Sequence, residues 1–196
     1  MAELKPKKCK NCGEKFRPFQ TLQKACSVAC ALSLSRKDAA KRERRALRER
    51  RQKLKTRADW LREAQAEFNR YIRLRDAGKP CISCGRFHSG KYDAGHYRSV
   101  GACSALRFDE ANCHRQCVPC NQHKSGNIVE YRINLIRRIG AEEVERLETT
   151  NPLRAWTVEE AKAIKAHYRE ACKALERGEL VPVWTVDFEP IEGVSK

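Results

Sequence analysis

The residues with the clearest chemical potential lie between Cys81 and Asn127. Two C-x-x-C pairs occupy this stretch, and a histidine, His96, lies between them. Two thiolate pairs with this spacing can fill the four corners of a tetrahedral zinc site. The segment between the pairs is also long enough to form a small structure of its own. The stretch therefore predicts a structural zinc ion bound by Cys81, Cys84, Cys117 and Cys120.

A second set of four cysteines lies in residues 1–32, where a C-x2-C pair and a C-x3-C pair are separated by thirteen residues. This spacing predicts a second structural Zn2+ ion, bound by Cys9, Cys12, Cys26 and Cys30. So small a module buries little apolar surface, and we expect Phe16, Phe19 and Leu22 to form its entire core. Metal binding should then supply most of its folding free energy.

Three short sequences in the central stretch, DAGHY, RFDEAN and QCVPCN, resemble the motifs of the HNH, or His-Me finger, endonucleases. In that family a strand presents a histidine as general base, a loop supplies an asparagine, and a helix supplies a metal ligand. The resemblance implies that His96 is the base, that Asn112 fixes its orientation and that Asn121 binds a catalytic Mg2+ or Mn2+ ion. A neutral imidazole can deprotonate water near pH 7, so the implied reaction is phosphodiester hydrolysis.

The position before the base departs from the HNH pattern, which has Asp or His where this chain has Gly95. Asp93 lies two residues earlier, and positions 93 and 95 of a strand point to the same face. Asp93 is therefore the candidate second ligand of the catalytic ion. Three further residues remain open as alternatives for that ligand: His114, His123 and Asn127.

The chain has 41 basic and 25 acidic residues, a formal net charge of +16. Such an excess indicates a polyanionic partner, most often nucleic acid. Residues 36–57 alone contain twelve basic and three acidic side chains on a stretch rich in helix-forming residues. We expect these DNA contacts from the basic segment and from near the catalytic histidine: Arg44, Arg45, Arg48, Arg51, Arg98 and Lys124.

The whole chain, from KKCKNCGEKF onward, also resembles the phage lambda NinG (Rap) recombination protein family. That resemblance implies a structure-specific endonuclease acting on branched DNA intermediates, such as Holliday junctions or D-loops. The alternative is a non-catalytic zinc-containing DNA-binding or adaptor protein in phage recombination. Both functions need the basic segment and the zinc sites, whereas the nuclease alone needs His96.

Helix and turn patterns predict a mainly α fold with small zinc-stabilised β elements, divided into four parts. The N-terminal zinc module is followed by a long basic helix at 33–78, or by two helices meeting near residue 57. An HNH-like ββα-metal module follows at 79–140, and C-terminal helices with a tail at 141–196. The predicted elements are a strand at 91–97, helices at 121–139 and 141–147, and a helix opened by the capping box Thr157–Glu160.

The sequence also bears on assembly and location. A seven-residue recurrence of Leu47, Leu54, Leu61 and Phe68 leaves a coiled-coil homodimer open, although charged residues interrupt the seam. The chain has no apolar run long enough for a membrane span, and its first ten residues lack the apolar region of a secretory signal. We therefore expect a protein of the bacterial host cytoplasm with reduced cysteines.

Overall fold

The computed structural model describes residues 4–150, 153–179 and 181, and it is mainly helical with two small antiparallel sheets. This confirms the predicted fold class at that level. The chain forms two compact units, Met1–Lys55 and Thr56–Lys196. The C-terminal tail beyond residue 181 lies outside the described residues. In the described part of the chain, no helix is both long enough and apolar enough to cross a membrane.

The first unit consists of a small hairpin and one helix. Strands β1 (Lys7–Lys8) and β2 (Lys15–Phe16) pair antiparallel, and helix α1 follows at Val28–Lys53. The N-cap side chain of Ser27 accepts a hydrogen bond from the backbone of Cys30, so α1 begins inside the cysteine cluster. None of the residues of α1 is buried, as expected for a helix with few apolar side chains.

The prediction that Phe16, Phe19 and Leu22 form the core of the N-terminal module is wrong for two of these residues. The side chains of Phe19 and Leu22 are 92% and 84% exposed, and Phe16 is only partly buried. The buried residues here are Cys9 and Ala25, together with Pro18. A hairpin whose strands have only two residues each is too small to cover an aromatic ring. The cysteine cluster itself is therefore the centre of the module.

The helical stretch between the cysteine sets consists of two helices. Helix α1 ends at Lys53 and α2 spans Arg57–Arg75. A capping box starts α2, because the Thr56 side chain accepts from the Asp59 backbone and the Asp59 carboxylate accepts from the Thr56 backbone. At about 1.5 Å per residue, α1 is roughly 39 Å long. Leu47 and Leu54 are exposed, and the homodimer stays a prediction.

In the second unit, α2 packs on the C-terminal helix α5 (Val158–Glu176) and on the central sheet. The apolar face of α2 predicted by its periodicity is buried at Ala64, Phe68 and Ile72. The Phe68 ring meets the Tyr168 ring of α5 edge-on at 5.0 Å. The predicted capping box of α5 is confirmed, with Thr157 and Glu160 bonded reciprocally.

The central sheet pairs β3 (Tyr92–His96) antiparallel with β4 (Cys113–Cys117), so that His96 lies opposite Cys113. Helices α3 (Ile128–Ile139) and α4 (Ala141–Thr149) follow and pack on each other. Their shared core contains Tyr131, Leu135, Val144 and Leu147. The unit thus has the order strand, strand, helix in its central region.

The predicted helix at 121–139 is interrupted. A helical turn covers Pro119–His123, and α3 begins only at Ile128. Between them Ser125, Gly126 and Asn127 have positive φ values of 48°, 87° and 46°. Three successive residues in this region reverse the chain direction and cannot continue a right-handed helix.

Candidate functional site

Both predicted cysteine sets are brought together. In each set the four sulfur atoms lie within 4.8 Å of one another. The Cys12–Cys26 and Cys26–Cys30 sulfur distances are 3.6 Å, and Cys84–Cys117 is 4.0 Å. Thiolates around a tetrahedral zinc with Zn–S near 2.3 Å lie about 3.8 Å apart. Both groups could therefore hold zinc.

His88 lies beside the second cluster, with its Nε2 atom 3.2 Å from the Cys84 sulfur. The sequence analysis assigned no function to His88. Its position four residues after Cys84 was the signal available in the sequence. Its backbone N–H also donates to the Tyr92 hydroxyl, which fixes the loop beside β3.

We expect metal analysis of the reduced, untagged protein to give about two zinc ions per chain, since each cluster supplies four thiolates. The double variant Cys9→Ser/Cys12→Ser should retain about one. The control Cys172→Ser lies outside both clusters and should retain about two. Folded, reduced wild-type protein with a ratio near zero would contradict the assignment of both sites.

His96 is held by a hydrogen bond to the loop that connects β3 and β4. Its Nε2 atom lies 3.0 Å from the carbonyl oxygen of Arg107. A carbonyl only accepts, so Nε2 has the proton and Nδ1 is left as the basic nitrogen. Burial lowers the pKa of His96, which keeps the imidazole neutral. The Nδ1 atom has one long contact, 3.6 Å, with the Cys113 sulfur.

Asn112 is fully buried and joins two parts of the connecting loop. Its Oδ1 atom accepts from the Arg98 backbone at 2.8 Å, and its Nδ2 atom donates to the carbonyls of Arg98 and Leu106 at 3.0 and 3.1 Å. Leu106 directly precedes Arg107, whose carbonyl holds the histidine. Asn112 is therefore linked to the hydrogen bond of His96 through the backbone of this loop.

Asp93 and Asn121 meet although 28 positions separate them in the chain. The Asn121 amide donates to the Asp93 carboxylate at 2.9 Å. Gln122, which sequence reasoning missed, donates to the same oxygen at 2.8 Å. The strand register places Asp93 and Gly95 on the same face, as predicted.

The packing around Gly95 explains the departure from the expected motif. A Cβ atom there would lie 1.9 Å from the Gln116 side-chain oxygen, and Gln116 is itself fully buried. The Tyr131 hydroxyl donates to the Gly95 carbonyl at 2.9 Å and closes the other side. A larger side chain at position 95 would require buried Gln116 to shift, and Asp93 is the acidic residue on this face of β3.

The three alternative ligands have different surroundings. His114 is buried against the Tyr131 hydroxyl, and burial lowers its pKa to about 3. The Asn127 amide points to the Cys120 sulfur at 3.9 Å. His123 is exposed to solvent. The His114 and Asn127 side chains thus contact groups other than the Asp93–Asn121 pair.

His96 and Asn121 line one open cleft of about 570 Å3. Its other walls come from the end of β3, the following turn and the reversal before α3, including Arg98, Ser99 and Ser125. The cleft therefore brings together a neutral, oriented imidazole and an amide that is bonded to a carboxylate. That combination suits proton transfer beside a bound cation.

The six candidate DNA-binding residues have different surroundings. One guanidinium nitrogen of Arg98 donates to the Leu147 and Thr150 carbonyls at 2.8 and 2.9 Å, so this side chain closes the end of α4. Lys124 is exposed in the turn before α3. The four arginines of α1 are all exposed: Arg44, Arg45, Arg48 and Arg51.

Two four-cysteine clusters in a strongly basic, mainly helical chain define a small cysteine-cluster protein. Its residues 1–179 match the sequence model of the family described as Bacteriophage Lambda NinG protein. Protein ninG of Escherichia phage lambda is 44% identical over 195 aligned positions, which cover 89% of this chain and 96% of the relative. Protein ninG of Salmonella phage P22 matches with the same identity and coverage.

The chain therefore belongs to the NinG family of bacteriophage proteins. This confirms the resemblance at the level of the family. No solved structure gives a significant match.

Proposed function

We propose that this chain is a metal-dependent endonuclease with an HNH-type core that cleaves branched DNA intermediates of phage recombination. One observation carries the proposal: a neutral histidine with a fixed tautomer shares a cleft with Asn121, which is bonded to Asp93. The antiparallel strands β3 and β4, followed by α3, are consistent with the ββα order of that class.

His96 acts as general base in this proposal. Its Nδ1 atom exchanges the long contact with Cys113 for a water molecule and takes a proton from it. Burial raises the pKa of the Cys113 thiol, which stays protonated and does not compete as a base. The Arg107 carbonyl keeps the ring in one tautomer and stabilises the imidazolium that forms.

Asp93 and Asn121 would hold a divalent cation, because a carboxylate and an amide oxygen are the hard ligands that Mg2+ and Mn2+ prefer. Rotation of the Asn121 amide by about 180° presents its oxygen beside the Asp93 carboxylate. A bound cation supplies stabilisation of negative charge on the phosphate and on the leaving oxygen. Gln122 steadies the carboxylate through its own hydrogen bond.

The exposed helix α1 is the proposed main contact with the DNA backbone. It has no buried residue, and its charge excess favours phosphates over base edges. A branched substrate presents several phosphate tracks close together. A long basic helix should therefore bind junctions more tightly than linear duplex DNA.

The test is a cleavage map on four-way, Y-shaped, D-loop and linear duplex DNA with Mg2+ or Mn2+. We expect cleavage of the branched substrates. Binding of branched DNA by zinc-loaded protein, with no cleavage at any Mg2+ or Mn2+ concentration, would instead support the non-catalytic DNA-binding or adaptor function.

The metal ligands give a separate prediction. Asp93→Asn should raise the Mn2+ concentration for half-maximal cleavage by at least about 10-fold, since a charged ligand becomes neutral. Its control is His123→Ala, which changes an exposed residue near the second cluster. An unchanged Mn2+ titration for Asp93→Asn would remove Asp93 from the metal site.

A further inference from the structure

The N-terminal module exposes two large apolar side chains in one short loop. Phe19 is 92% and Leu22 is 84% exposed, while the neighbouring Pro18 is buried. Burial of apolar side chains stabilises a folded module, and this module forgoes that stabilisation at both positions. An aromatic ring left in solvent by so small a module needs a reason.

The loop is held in place by specific bonds. The Gln23 side chain accepts from the Phe19 backbone at 2.7 Å and donates to the Ala25 carbonyl at 2.9 Å. A turn closes from Gln23 to Gln20 at 3.1 Å, and the Lys7 ammonium donates to the Thr21 carbonyl. The loop thus presents Phe19 and Leu22 on a braced backbone, which lowers the entropic cost of binding through them.

The surface around this loop is strongly positive. Residues 4–27 contain seven basic side chains and one acidic side chain, Glu14, a net charge of +6. The basic residues are Lys5, Lys7, Lys8, Lys10, Lys15, Arg17 and Lys24. An exposed aromatic ring among cations suits a partner that offers both negative charge and flat apolar faces. Unpaired nucleobases on a phosphate backbone offer both.

We propose that Phe19 and Leu22 form an apolar tip that inserts at the branch point of DNA, with Phe19 stacked on an unpaired base. This rests on the proposed function, since it takes branched DNA as the substrate. Aromatic stacking tolerates any base, and an aliphatic wedge such as Leu22 can separate a base step. The tip thereby recognises the opened structure of a junction without reading its sequence.

The test uses junction and Y-shaped DNA with 2-aminopurine at the branch point, and a His96→Ala parent so that the DNA stays uncut. Stacking quenches 2-aminopurine fluorescence, so the parent should quench it on binding. Adding Phe19→Ala should abolish the quenching and weaken branched-DNA binding by about 5-fold to about 150-fold, the equivalent of about 1–3 kcal/mol per stacked base. Binding of fully paired linear duplex should change by less than about twofold.

Two matched variants complete the experiment. Phe19→Trp should keep both quenching and affinity, because the larger ring still stacks. Phe87→Ala removes an aromatic side chain that is 71% exposed in the other compact unit, and it should behave as the parent. Zinc content near two per chain confirms that each variant retains both clusters.

Unchanged quenching and affinity in Phe19→Ala would overturn the proposal and leave the tip as a surface for a protein partner. Equal weakening on linear duplex would overturn it as well, because the tip would then not depend on unpaired bases. The wild-type chain could fail to cleave branched DNA while the His96→Ala parent still shows Phe19-dependent quenching. That result would contradict the proposed nuclease function and support the proposed apolar tip.

Discussion

Replacement of His96 by alanine is expected to lower the rate of branched-DNA cleavage by about 10²- to 10⁴-fold, the usual cost of losing a general base. Affinity for the DNA should stay within about twofold, because His96 lies in neither cysteine cluster nor in α1. Single-turnover cleavage and equilibrium binding measure the two effects separately.

The matched control is His123→Ala, which removes an exposed imidazole. It should cleave at nearly the wild-type rate. Wild-type cleavage by His96→Ala would move the base role to another residue. The His96 ring also packs near the Phe68 ring, with 5.9 Å between their centroids. Thermal unfolding of His96→Ala therefore has to be compared with that of the wild type, and loss of cooperative unfolding would make His96 a structural residue.

The pH profile of cleavage gives a further check on the same base. Burial places the pKa of His96 below its ordinary value of 6.5. A base must be unprotonated, so the rate should rise with pH at acid values, with the midpoint of the rise below pH 6.5. The acidic limb should be absent from the residual activity of His96→Ala. A wild-type limb centred above pH 7 would indicate a different titrating group.

The second large effect is expected from the basic helix. Changing four exposed arginines of α1 to glutamine should weaken binding to all DNA sequences alike and flatten the dependence of log affinity on log salt. Each phosphate contact contributes a slope of about 0.9, so four contacts correspond to a change of about three to four units. The four residues are Arg44, Arg45, Arg48 and Arg51.

The structure indicates that the four substitutions in α1 should leave the fold intact. Glutamine is nearly as good a helix former as arginine, and none of the residues of α1 is buried. Arg45 is paired with Glu49 at 2.8 Å, but both side chains are exposed and such pairs exchange readily for a phosphate. The fold should therefore survive the loss of four charges.

A charge-matched control distinguishes local contact from net charge. The same number of exposed cations in the other unit can be changed to glutamine: Arg62, Arg169, Lys173 and Arg177. This control should leave the salt slope within about one unit of wild type. An unchanged slope in the α1 variant would make α1 a solvated spacer, with DNA bound elsewhere.

Local patterns in the sequence predicted much of the fold. The cysteine spacings identified both four-sulfur groups, and the strand predicted at 91–97 lies within one residue of β3 at each end. The Thr157 capping box predicted the start of α5. The equivalent signal at Thr56 and Asp59 was present but not used, and it explains why α2 begins at Arg57.

The errors came from positions whose environment depends on distant residues. Phe19 and Leu22 were expected in a core because they are apolar, yet the module has nothing large enough to cover them. The helix at 121–139 was expected as one element, although its apolar face begins only at Ile128, and Ser125, Gly126 and Asn127 turn the chain back before α3. Periodicity does not record such a reversal.

The sequence by itself determined the elements that depend on near neighbours: the two cysteine groups, the capped helices, the strand around His96 and the basic character of α1. Only the tertiary structure decided how the candidate site is assembled. It set the Arg107 carbonyl on the His96 ring, the Asn121 amide on Asp93, and Gln116 against Gly95. Cysteine spacing and helix capping act over a few bonds of one segment. Hydrogen-bond partners and steric limits arise where separate segments pack, which no local pattern specifies.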